Sequence, residues 1–197
     1  ASVALRLAPT GEVPDGMVLV PGADSVGGTI GIASVEGTRD PYFIDRYEVT
    51  NRQFKQFVDQ GGYQKREYWK TPFIKDGKPV SWEDAIAEFR DTTGRAGPAK
   101  WELGAFPEGH GNYPVDGLSW YEAAAYAEYA GKSLPTVYHW YRAAGIGAST
   151  ENFSDILRVA NFGGKGAVAV GSTPAMSPFG SYDMAGNIKE WCWNKAD

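Results

Sequence analysis

Turn-forming residues interrupt this chain before any helix or strand can grow long. Stretches such as the glycine-rich residues 27–37, "TTGRAGP", "PEGHGN" and "GGKGAVAVGS" recur along 197 residues that contain 25 Gly and 12 Pro. Glycine opens the left-handed region of backbone space and proline removes a ladder donor, so both favour loops. Between these breaks stand seven Trp, eleven Tyr and nine Phe. Short elements and many rings together imply a core of aromatic side chains wrapped in irregular backbone.

The segments that escape interruption alternate between strand and helix patterns. Residues 3–10 and "MVLVPG" read as short strands, the second ended by Pro-Gly, and "PYFIDRYEVT" (41–50) reads as another. Thr50 is an N-cap for "NRQFKQFVDQ", whose Phe54, Phe57 and Val58 share a face before Gly61-Gly62 stops it. A second helix starts at Ser81, with Ala85, Ile86 and Phe89 as its apolar side. Ser119 and Glu122 have the spacing of a capping box ahead of "WYEAAAYAEYAGK". Thr136 caps "VYHWYRAAG", which turns Trp140 and Ala143 or Ala144 inward. Beyond Gly145 only loops and short strands such as "AVAVGS" are expected. The fold class is therefore α+β, with short strands, two to four helices and much irregular structure.

Charge and motifs exclude several function classes. A net charge of −5 with no basic run argues against a nucleic-acid partner. No apolar window is long enough to span a bilayer, so no membrane contact by this domain is expected. Two histidines, His110 and His139, and the single Cys192 cannot build a zinc site of the usual spacing. Both histidines read as structural or surface residues, and Cys192, between Trp191 and Trp193, as an inert thiol. No Walker, G-x-S-x-G, H-E-x-x-H or G-x-G-x-x-G motif occurs, nor any kinase signature.

One stretch offers different chemistry. In "YDMAGNIKEW", Asp183 and Glu190 bracket a Gly-Asn turn whose carbonyls cannot all enter a ladder. Calcium takes six to eight oxygens from carboxylates and freed carbonyls. The loop has the donors to wrap one ion with the Asp183 and Glu190 side chains and the Gly186 and Ile188 carbonyls. The alternative is that Asp183 caps a turn and Glu190 meets Lys189 or a nearby Arg.

The blocks "GMVLVPG", "PYFIDRYEVTNRQFKQFV", "YPVDGLSWYEAAAYAEYAGKSLPT", "VANF" and "SPFGSYDMAGNIKEW", in this order, resemble the formylglycine-generating-enzyme-like, or sulfatase-modifying-factor, family. The resemblance runs over nearly the whole chain, with residues 1–16 read as an N-terminal linker or strand and 17–197 as the domain. It implies a C-type-lectin-like fold and a structural calcium held by Asp183, Gly186, Ile188 and Glu190. It also implies a second calcium site beginning at Asn161 and the Phe162 carbonyl. "GGKGAVAVGS" carries no carboxylate to complete that second site, which is expected to be lost or altered.

Two departures shape the functional expectation. Oxidases of the family carry a copper-binding cysteine pair after the "GNxxEW" block, whereas this sequence ends at Asp197 and Cys192 precedes that position. Copper is therefore not expected in this chain, and Trp191 and Trp193 are expected to be partly uncovered. The acidic residues usual after "LPT" are replaced by "VYHW". Together with "KWELGAFPEG" and "EWCWN", this looks most like a subgroup fused behind bacterial serine/threonine kinase domains. The resemblance does not settle the activity; the absence of any nucleophile–base pair and the fold's frequent use as a recognition scaffold favour a non-catalytic binding or sensory module for an unidentified protein or small-molecule ligand. Its parent is expected to be a membrane-anchored, kinase-linked protein with the module on the extracytoplasmic side. The alternative is a fragment of a copper-dependent formylglycine-generating oxidase.

Overall fold

The computed structural model describes residues 13–22, 40–145, 158–164 and 166–193. Strand β1 (Met17–Val20) pairs antiparallel with β2 (Tyr42–Asp45), Met17 opposite Asp45 and Val20 opposite Tyr42. Four α-helices follow among the described residues: α1 (Asn51–Asp59), α2 (Trp82–Glu88), α3 (Trp120–Tyr129) and α4 (Val137–Ala143). The architecture is α+β, as the sequence pattern required. The expected strand at 3–10 lies outside the described residues.

Local sequence explains each helix end. Thr50 Oγ1 accepts from Gln53 N, and Gln53 Oε1 accepts from Thr50 N, which closes a capping box at α1. Ser119 and Glu122 do the same at α3, while Ser81 and Thr136 cap α2 and α4. Gly61, at φ +80°, ends α1, and Gly62 N donates to Phe57 O at 2.9 Å. A Cβ on Gly62 would lie 2.2 Å from the Phe57 ring, so this turn has no room for a side chain.

Two expectations need correction. The strand expected over 41–50 stops at Asp45, because the following residues serve the α1 cap and a bridge between Thr50 and Pro114. "AVAVGS" forms no strand: Val168 N and Val170 N donate instead to the Asn187 side chain and the Asn112 carbonyl. Conversely, the two-residue strands β3 (Ile74–Lys75) and β4 (Lys78–Pro79) form a hairpin that pattern reading passes over. Its turn residues Asp76 and Gly77 both have positive φ, the Asp-Gly signal of a tight hairpin turn.

The main core is a mesh of rings. Phe54 and Phe57 on α1 meet Tyr126 on α3 at centroid distances of 5.3 and 6.1 Å, and Trp69 stacks on Phe89 at 5.4 Å. Two polar groups carried into this core are matched, whereas the buried Trp82 Nε1 at its edge has no hydrogen-bond partner among the described residues. Trp101 Nε1 donates to Asn51 Oδ1, and Tyr63 Oη donates to Glu122 Oε1 at 2.6 Å. A smaller cluster of Val20, Ala143 and Met184 joins β1, α4 and the segment 179–184. Ala143, one of the two alternatives for the inward face of α4, is fully buried. The second cluster ties the C-terminal turn to the sheet, and so fixes the candidate site.

Candidate functional site

The turn expected to carry chemistry is strongly bent. Asp183 and Asn187 both have φ +57° and Gly186 has φ +85°, so its carbonyls leave any ladder. Gly186 is required here for space as well as conformation, since a Cβ would sit 2.8 Å from the Asn161 carbonyl oxygen. No hydrogen bond among the described residues ends on the Gly186 or Ile188 carbonyl.

The structure gives the carboxylates mixed roles. Asp183 is only 2% exposed; its Oδ2 accepts from Gly171 N at 2.9 Å and its Oδ1 from Thr173 Oγ1 at 2.6 Å. It therefore does cap a turn, although each oxygen keeps a second lone pair. Glu190 accepts from Trp140 Nε1 on α4 rather than pairing with Lys189. A third acid, Glu48, lies beside them on the connection from β2 to α1. Its Oε2 accepts from Asn187 Nδ2 at 2.6 Å and its Oε1 from Ile188 N at 3.3 Å.

None of the ion pairs among the described residues includes Glu48, Asp183 or Glu190. Burial pushes the Glu48 carboxyl up to about 8, the Glu190 and Asp183 charges adding to the rise and the Asn187 and Ile188 bonds opposing it. Burial also pushes Glu190 up to about 7, against the Trp140 bond and with the Asp183 charge. Glu190 keeps some accessible surface, but the packing around it is dense enough to desolvate its carboxyl.

The donor chemistry fits a hard cation: carboxylates and carbonyls free of recorded hydrogen bonds, all oxygen. Among the described residues no three of His, Cys, Asp or Glu converge as a metal-holding group, so any ion here must rely on carbonyls as well. At Asn161, where the second site is expected to begin, the recorded partners of the side chain among the described residues are not carboxylates. The Asn161 side chain donates to Gly166 O and Asn187 Oδ1, and Phe162 is 54% exposed.

Beside the turn opens a cleft of about 1210 Å³, walled by Ile44, Glu48, Trp140, Met184, Glu190 and Trp191 among others. Trp191 and Trp193 stand 48% and 42% exposed. Their backbone and indole atoms are tied down, Trp191 Nε1 to Leu118 O at 3.0 Å and Trp193 N to Pro135 O at 2.7 Å. The Trp120 and Trp193 rings lie 5.0 Å apart. Burial and the Glu190 charge push the Cys192 thiol up, which disfavours the thiolate that nucleophilic or metal chemistry needs. His139 contacts the Thr136 cap, and His110 Nδ1 lies 3.0 Å from the Glu108 carbonyl, so both have structural contacts.

Glu48 and Asn187 were not legible as site residues. Glu48 sits in a strand-like run where an acid reads as a solvent-facing residue, and Asn187 reads only as a turn former.

A domain of short capped helices, two small two-stranded sheets and a buried oxygen-rich turn beside an aromatic cleft is the class this geometry defines. The chain belongs to the family of the sulfatase-modifying factor enzyme 1-like domain, whose model matches residues 5–197. It is 32% identical to the formylglycine-generating enzyme of Thermomonospora curvata, with 94% of this chain and 74% of that protein aligned. It is 33% identical to the serine/threonine-protein kinase pkn1 of Chlamydia pneumoniae over 84% of this chain, and spans 26% of that kinase. The hercynine oxygenase of Mycolicibacterium smegmatis is 29% identical over 88% of this chain and 44% of its own length. The resemblance read from the sequence blocks is thus established at the level of the family, with relatives both enzymatic and kinase-linked.

Proposed function

We propose that this chain is a non-catalytic binding module of C-type-lectin-like fold, with a calcium-stapled turn and an aromatic cleft for its ligand. The cleft carries the reading. At about 1210 Å³ it has room for a small molecule or a peptide, and most of its walls are apolar or aromatic. Trp191 and Trp193 offer half-open ring faces at its edge. The short strands and irregular backbone support the lectin-like assignment.

In this reading the calcium ligands are the Asp183 and Glu190 carboxylates and the Gly186 and Ile188 carbonyls. Calcium supplies positive charge beside these acids, none of which joins an ion pair among the described residues. These residues hold the turn against α4 and the 171–173 loop, and so shape the wall of the cleft that Glu190 and Trp191 form. Copper is not part of the proposal, because a single thiol shifted towards its protonated form is a poor copper ligand. The similarity to the Chlamydia kinases supports a parent protein in which the module is joined to a kinase domain, sensing a protein or small molecule. The net charge of −5 supports a partner other than nucleic acid.

A second reading, a fragment of a formylglycine-generating oxidase, is favoured by the 32% identity to the Thermomonospora enzyme across 94% of this chain. Incubating the protein with a cysteine-containing sulfatase peptide and copper separates the two. The binding reading expects no aldehyde product by mass spectrometry, and its appearance would install the oxidase instead. Saturation-transfer NMR against a panel of small molecules and short peptides tests the cleft directly. Hits abolished by Trp191→Ala support the module, and a panel without hits removes it.

A further inference from the structure

Every hydrogen-bonding position of the Asn187 amide is filled. Nδ2 donates to Glu48 Oε2 at 2.6 Å and to Val168 O at 3.3 Å. Oδ1 accepts from Val168 N at 2.9 Å and from Asn161 Nδ2 at 3.2 Å. An asparagine amide offers two donor hydrogens and two acceptor lone pairs, so none remains. Three segments remote in sequence therefore meet on one side chain in the turn: the approach to α1, the loop at Asn161 and the loop at Val168.

Backbone bonds at and beside this residue orient one of the expected donor carbonyls and fix the peptide before the other. Asn187 N donates to Asn161 O at 2.9 Å. In a trans peptide the C=O and N–H are antiparallel, so this bond aims the Gly186 carbonyl away from Asn161. Ile188 N donates to Glu48 Oε1 at 3.3 Å, which fixes the Asn187–Ile188 peptide, one bond before the Ile188 carbonyl, on the same carboxylate that holds the Asn187 amide. Asparagine is among the few residues with a Cβ that tolerate the φ of +57° found at Asn187.

We propose that Asn187 and Glu48 are the positioning pair of the turn, fixing the Gly186 carbonyl and the Asn187–Ile188 peptide that leads to the Ile188 carbonyl before a cation arrives, and so setting calcium affinity. Neither residue is placed as a ligand, and the proposal rests on the calcium reading above. Outer-shell partners of this kind are worth about 10- to 100-fold in metal affinity.

The test uses two variants with different risks. Asn187→Gly keeps the left-handed backbone free of strain and deletes the hub alone. Glu48→Gln keeps the side-chain shape but turns one of its two acceptors into a donor, and it serves if Asn187→Gly does not fold. Calcium dissociation constants are measured by isothermal titration of the full chain, and melting temperatures in chelator report the ion-free fold. The expected result is calcium binding weakened about 10- to 100-fold in both variants, with Lys189→Ala within about twofold of wild type. Variants that melt earlier in chelator yet bind calcium as wild type does would overturn the positioning role and leave the calcium site standing. A wild-type protein that takes up no calcium would overturn the site itself, and the positioning role with it.

Discussion

Gly186 and Gly94 provide a controlled comparison, because both have φ +85° and only their surroundings differ. An alanine Cβ at Gly94 would meet nothing within 4 Å. The same Cβ at Gly186 would lie 2.8 Å from the Asn161 oxygen, 2.9 Å from its carbonyl carbon and 3.1 Å from its nitrogen. All three are backbone atoms, so no rotamer change can relieve the contact. Gly94→Ala should therefore cost only the left-handed conformation, about 1 kcal/mol. Gly186→Ala adds the displacement of the Asn161 backbone, about 1–3 kcal/mol by analogy with overpacked sites, for a total of about 2–4 kcal/mol. Urea unfolding followed by tryptophan fluorescence, with slopes compared to establish a shared unfolded state, measures both. Equal losses in the two variants, within about 0.5 kcal/mol, would refute the close approach between the 186 turn and Asn161.

Three further outcomes follow from the site and its supports. Glu190→Gln should remove most of any calcium-dependent rise in melting temperature while Lys189→Ala leaves it intact; a wild-type melting curve unmoved by chelator would reduce the turn to a cap and a hydrogen-bonded acid. At Asp91, burial raises the carboxyl, but donors from Gly104, Thr93 and Arg95 outweigh it and bring it down from 3.8 to about 2. A depressed carboxylate stabilises the fold above its unfolded value and loses that contribution as pH falls through its folded value. Stability should thus drop by up to about 2 kcal/mol between roughly pH 4 and pH 2. Asp91→Asn should flatten that fall and destabilise the protein at neutral pH by about 1–3 kcal/mol, since its amide hydrogens would face the Gly104 N–H now bound to Oδ2. Cys192, its thiol raised by burial and by Glu190, should react with iodoacetamide more slowly at neutral pH than a free cysteine; an equal or faster rate would contradict the inert reading.

The local signals in the sequence determined the helices. Thr50, Ser81, Ser119 and Thr136 cap the four of them, because a hydroxyl that satisfies a free N–H acts over three residues and needs no distant partner. The ordered blocks likewise sufficed to assign the family, and the aromatic count foretold a core of rings. Other features depended on contacts that sequence spacing does not encode. "AVAVGS" has the alternation of a strand, but its amides found partners in Asn187 and Asn112 instead of a neighbouring ladder. Glu48 stands 135 positions before Asp183 in the chain, yet folding brings the two acids together with Glu190 in one desolvated region. Capping is short-range and therefore written locally. The gathering of three acidic side chains in one desolvated region and the choice of Trp140 as the partner of Glu190 exist only once β2, α4 and the C-terminal turn have packed, and only the tertiary structure could decide them.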